Sequence, residues 1–275
     1  MAVSFDTLKA DATIFAELQK NPEWWKHFKE DSSLYIEVRK DNQVNVYFEG
    51  GSVARIHYCS RHKKLQVFTH HKYLGKPAPS KNSLYIECGD IIGKYYDEIL
   101  ERIKTCYSQK TVSESVVPKE KWSEKFIQGS LIVHSRDIHL DSEFAYIDKD
   151  NDIRIDLVKC DDGIVTFVEL KRMDDNRMLH ITDEAPEVVF QMNSYKQFLE
   201  KYASQLLGYY QCVYDIKKSL DLHVPAKRPE KINLIAELLI FDRWEKKTPG
   251  REKHRRRLYD ILNRENIKYH TKTDI

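Results

Sequence analysis

Apolar and polar positions along this chain fall into two rhythms. Near the N-terminus Phe5, Leu8, Phe15, Leu18, Trp24, Trp25 and Phe28 can share an apolar face, which predicts helix over 5–30, interrupted at Asn21-Pro22. Alternating or β-rich runs follow at 34–38, 44–48, 53–58 and 65–69, with Asp41-Asn42 and Gly50-Gly51 as turns between the first three. That pattern predicts an antiparallel meander. Beyond a Pro77-Ala-Pro79 loop, Ile92, Tyr95, Tyr96, Ile99 and Ile103 mark a helix over 91–107. An α+β domain is therefore expected over 1–112, followed by a β-branched, proline-terminated linker at 111–118.

The second half, 118–275, has a different order. A helix over 119–134 carries Trp122, Phe126, Leu131 and Ile132, and β runs follow at 143–147, 153–158 and 164–170. Their turns fall at 148–152 and at Asp161-Asp162-Gly163. Thr182 to Pro186 offers an Asp or Thr cap and an early proline, which suit a helix start, and the helical pattern runs to Leu222 with a break expected near Gly208. Residues 231–241 form a dense apolar run, expected to be one buried strand. The order is helix, three strands, helix, strand.

Candidate chemistry concentrates at Glu169-Leu170-Lys171, the end of the third of these strands. Strand side chains alternate, so Glu169 and Lys171 share a face with Leu170 between them. A hairpin would bring Asp156 beside them. Two carboxylates and an ammonium at a strand end can hold a divalent metal and position a water, an arrangement suited to phosphodiester cleavage. A surface hairpin with exposed charges accommodates Lys171 equally well. It accommodates Asp156 badly, because an unpaired carboxylate in an apolar strand is costly to bury.

Composition narrows the alternatives. The chain has 275 residues, 41% hydrophobic and 32% charged, with no run near the roughly 20 apolar residues that span a bilayer. The start carries no basic segment followed by an apolar core, so no secretory signal is expected and the cytoplasm is the expected compartment. Five scattered cysteines without a Cys-x-x-Cys pair argue against a zinc site or disulfide framework. Net charge is only +2, but eight basic residues lie between Arg243 and Arg257, opposed by Glu245 and Glu252 alone. Such a cluster suits a phosphate backbone or a solvated helix face. Asp148, Asp150 and Asp152 have the opening spacing of a calcium loop, but Ile153 and Lys159 stand where glycine and glutamate are required.

Asp156, the Glu169-Leu170-Lys171 triplet, the order of elements, and Gln191 and Tyr195 four apart on the next helix together resemble the PD-(D/E)XK nuclease superfamily. The Gln-x-x-x-Tyr spacing is similar to its RecB-like branch. The resemblance covers 118–245 and departs at Ile155, where the nominal proline is absent. It implies an α/β restriction-endonuclease-like core, a mixed central sheet flanked by helices. It further implies a Mg²⁺-dependent nuclease, with Mn²⁺ as substitute, acting on DNA. Asp156, Glu169, the Leu170 carbonyl and Glu124, expected mid-helix, would then be the metal ligands. Lys171 would hold the attacking water or stabilise the pentacovalent oxygens, and Gln191 would contact phosphate or a ligand carboxylate. Tyr195 suits site or core equally. The expected partner is nucleic acid, with no membrane and a homo-oligomer left open. The competing expectation is a catalytically inactive nucleic-acid-binding or assembly module that keeps the nuclease fold.

Overall fold

A computed structural model describes residues 5–81, 83–89, 91–107, 121–147, 152–179 and 185–275. The proposed linker at 111–118, the turn at 148–151 and the helix cap at 182–183 lie outside the described residues. The molecule is α+β, with an antiparallel sheet of five strands and a mixed sheet of six. It divides into two compact units. One comprises Ser4–Asp137 with Gln211–Val224; the other comprises Ile138–Tyr210 with Pro225–Ile275. None of the described helices is long and apolar enough to cross a membrane.

In the first unit, the helical stretch is divided into α1 (Thr13–Gln19) and α2 (Glu23–Glu30) at the expected interruption, Asn21, which takes φ 56°, and Pro22. The meander then runs β1 (Leu34–Arg39), β2 (Gln43–Phe48), β3 (Gly51–Cys59), β4 (Lys64–His70) and β5 (Tyr85–Glu87), paired in chain order. Asp41 and Asn42 make the first turn at positive φ, and Gly50 at φ 82° makes the second. A side chain on Gly50 would also collide with the Lys125 carbonyl. The predicted helix over 91–107 is a short α3 (Ile91–Lys94) and α4 (Tyr96–Tyr107). Helix α5 (Glu124–His134) begins where the Ser123 hydroxyl accepts the Phe126 N–H at 3.1 Å. That cap makes Glu124 the first helical residue, not the mid-helix position expected from sequence.

In the second unit, β6 (His139–Ile147), β7 (Asp152–Asp161) and β8 (Ile164–Arg172) form an antiparallel meander. A short α6 (Asn176–Leu179) precedes α7 (Glu187–Ser219). The break expected at Gly208 does not occur. That glycine faces open space, and buried Leu206, Tyr210 and Val213 around it carry the helix through. This outweighs the roughly 1 kcal/mol a helical glycine costs relative to alanine. Through Tyr210 the helix packs on the mixed sheet, where Phe198 and Tyr210 meet Phe144 at 6.0 and 6.2 Å.

The run 231–241 is not one strand. Strand β9 (Lys231–Ile232) pairs with the start of β8, and β10 (Glu237–Phe241) pairs with its end, both parallel. Five steps from Ile232 to Glu237 face three from Val165 to Val168, so the chain must bulge. Asn233 makes the bulge by accepting the Ile235 N–H on its side-chain oxygen at 3.1 Å. Beyond it, α8 (Pro249–Arg264) and a further parallel strand, β11 (Tyr269–Lys272), complete the order β11-β10-β8-β7-β6. Strand β11 is polar and exposed, so no alternation in the sequence announces it.

Candidate functional site

The site lies where β7 and β8 part. Their ladder ends at Leu157 opposite Val168, and β8 then continues beside β10 alone. At the parting, Asp156 replaces the missing backbone acceptor: its Oδ2 takes the Leu170 N–H at 2.9 Å. The side chain of Asp156 is 28% exposed and those of Glu169 and Lys171 are 2% and 1% exposed, so solvent reaches this group from the Asp156 side.

Lys171 lies between the two carboxylates. Its ammonium donates to Glu169 Oε1 and to the Leu170 carbonyl at 3.0 Å, and it lies 3.8 Å from Asp156 Oδ2. Helix α7 adds the remaining groups. Gln191 Nε2 donates to Glu169 Oε1 at 2.7 Å and to the Tyr195 hydroxyl at 2.6 Å, which uses both its protons. The Tyr195 hydroxyl lies 2.9 Å from Glu169 Oε2 and also meets the Arg154 carbonyl. A phenol has one proton to give and two lone pairs to accept with. Two acceptors and one proton are reconciled if Glu169 is itself protonated, donating to Tyr195 while Tyr195 donates to Arg154.

Electrostatics agree with that proton count. Burial, and then the negative charge of Asp156, push the Glu169 carboxyl up to about 7, although Lys171 and Tyr195 pull the other way. Burial and the Glu169 charge likewise hold the Tyr195 phenol well above its usual range. The site therefore carries a carboxyl that gains or loses its proton near neutrality.

The structure thus brings together Asp156, Glu169, Leu170, Lys171, Gln191 and Tyr195. Glu124 belongs to the other unit. Sequence reasoning missed the Arg154 carbonyl, because a backbone oxygen leaves no trace in residue type. It also missed Glu237, a buried carboxylate at the start of β10, held by Lys159 at 2.6 Å and Lys268 at 2.5 Å. Burial raises its pKa, but the two lysines outweigh this and hold it below the ordinary value.

The basic cluster is partly internal. Arg243 pairs with Asp174, and Arg255 pairs with Asp242 and Glu252, whereas Lys246, Lys247, Lys253, Arg256 and Arg257 are exposed.

Among the described residues no three His, Cys, Asp or Glu side chains gather as a ready metal cage. The donors at the β7–β8 parting are nevertheless all hard oxygens: Asp156, Glu169 and the Leu170 carbonyl. Beside them the Gln191 Oε1 is buried and has no donor. An orphaned oxygen on the amide that bonds Glu169, with hard-oxygen donors beside it, fits a hard cation such as Mg²⁺ or Mn²⁺ and does not fit a soft one. Compared with protein-family models, curated proteins and solved structures, the chain returns no match.

Proposed function

We propose that the mixed-sheet unit is a metal-dependent nuclease of the PD-(D/E)XK type, hydrolysing phosphodiester bonds in DNA. The observation that carries this reading is the convergence of Asp156 and Glu169 on one ammonium at a strand parting, with Gln191 of the next helix bonded to Glu169. Mg²⁺ or Mn²⁺ held by Asp156, Glu169 and the Leu170 carbonyl would supply Lewis-acid activation of water and neutralise charge on the phosphorane.

The chain's own residues carry the rest. Asp156, at the exposed end, meets the incoming phosphate side, while buried Glu169 is fixed by Gln191 and Tyr195. Fixing it means no reorganisation is needed as charge develops. A cation held there would require the ionised form of Glu169, and the Lys171 ammonium would then hold the attacking water in place or hydrogen-bond a phosphorane oxygen.

A second reading has its own observation. With Glu169 protonated, the Lys171 ammonium balances the Asp156 charge, which describes a self-satisfied ion cluster in a nucleic-acid-binding or assembly module without turnover. Incubating plasmid and linear DNA with purified protein and Mg²⁺ or Mn²⁺ separates the two. Cleavage by wild type that is lost in Asp156→Ala and Lys171→Ala supports the nuclease. Equal activity in all three proteins marks a contaminant and ends the proposal.

A further inference from the structure

We infer that the polar face of the five-stranded sheet, at β3, β4 and β5, binds single-stranded nucleic acid. Alternation gives this sheet two unlike faces. Val44, Val46, Ala54, Ile56 and Val67 are buried on one. On the other, cross-strand register sets Arg55 opposite Phe68, His57 opposite Gln66, and His70 opposite Tyr85. None of these six side chains is fully buried, so the face stays accessible.

The rings and cations are interleaved. His57 meets Phe68 edge-on at 5.5 Å and His70 meets Tyr85 at 5.3 Å. The Arg55 guanidinium lies 3.8 Å over the Tyr85 ring. Lys72, just past β4, lies over Tyr73 and Tyr107 at 4.7 and 5.3 Å.

The charge on this face is uncompensated. Neither Arg55 nor Lys72 has a carboxylate partner among the described residues, and the Arg55 Nε is buried without an acceptor. Glu87, the carboxylate that β5 contributes, is engaged by Gln66 at 2.9 Å and Lys64 at 3.7 Å. The histidines register the resulting field. Burial and then the Arg55 charge lower the pKa of His57; burial, Lys72, His71 and Arg55 lower that of His70.

Unneutralised cations attract an anion, and flat rings beside them attract aromatic bases. A single strand offers both at once, with its bases free to stack; a duplex hides its base faces. This inference concerns the other unit and stands whether or not the Asp156 centre cleaves.

The test uses the full Asp156→Asn chain in EDTA, so that cleavage cannot interfere. Fluorescence anisotropy follows labelled single strands of about 12 nucleotides, a length chosen to span one stacking surface. Binding is expected at low salt, weakening linearly on a log–log plot as salt rises. Arg55→Gln and Phe68→Leu should each weaken it about tenfold, in line with the loss of one stacked base or one phosphate contact. Phe68→Leu keeps the apolar volume, and circular dichroism verifies its fold. Ultraviolet crosslinking of the unsubstituted face should attach the strand to peptides containing Phe68 or Tyr85. Absence of binding at low salt, equal affinity for duplex, or full affinity in both variants would overturn the inference.

Discussion

Replacing Lys171 with methionine should destabilise the protein much more at pH 8 than at pH 5. Lys171 is 1% exposed and bonds Glu169 and the Leu170 carbonyl. Methionine fills similar volume but removes the one cation facing two carboxylates. Breaking a buried ion pair from one side costs about 3–5 kcal/mol when the remaining charge cannot neutralise. Here it can neutralise, at a cost set by pH. In the native protein the Glu169 carboxyl titrates at about 7, above its ordinary 4.5. The folded state therefore holds this proton more tightly than the unfolded chain. Its contribution to stability is complete below pH 4.5 and is lost as pH rises toward 7, amounting to about 3 kcal/mol by linkage. Without the ammonium the folded carboxyl titrates higher still, so the loss continues past pH 7. Urea unfolding of both proteins at pH 5 and pH 8, followed by a change in midpoint at unchanged slope, measures this. The reasoning is refuted if the penalty of Lys171→Met is the same at the two pH values.

Other consequences are independent of that experiment. Lys217 and Glu37 form a fully buried pair at 2.6 Å, so Lys217→Met should cost about 3–5 kcal/mol and the double Lys217→Met, Glu37→Leu substitution should recover most of it; denaturation of the three variants tests this as a double-mutant cycle. Gly50→Ala should destabilise by about 1–3 kcal/mol, because φ 82° strains any side chain and the Lys125 carbonyl blocks it, and a thermal melt reads the loss. Mn²⁺ affinity should rise with pH up to about 7 and level off above it, since the ion must displace the Glu169 proton; titrations at pH 5.5, 6.5 and 7.5 with proton release measured alongside would show it.

How far the sequence discloses this structure depends on what each feature leaves in residue type. The meander was visible because one buried face imposes period two, and Asn21-Pro22, Asp41-Asn42 and Gly50 mark chain reversals chemically. Asp156 was visible as a carboxylate inside an apolar strand, Glu169-Leu170-Lys171 as charges at the end of one, and Gln191 and Tyr195 by helical spacing. The split of 231–241 was not, because Ile232 and Leu238 look alike whether or not Asn233 turns the chain between them. Strand β11 is held by parallel pairing with β10, through backbone atoms that every residue has. The Arg243–Arg257 cluster misled in part, since sequence counts charges and does not show that Arg243 and Arg255 are spent on Asp174 and Asp242.

Asp156 and Glu169 are proposed to hold one divalent cation between them. Titration of Mn²⁺ into the protein at pH 7.5, followed calorimetrically or by the loss of free-ion spin resonance, tests it without reference to any substrate. The account predicts saturable binding that is abolished in Asp156→Asn and in Glu169→Gln and that leaves Glu237→Gln unaffected. Binding that survives both substitutions, or none at millimolar Mn²⁺, would contradict it.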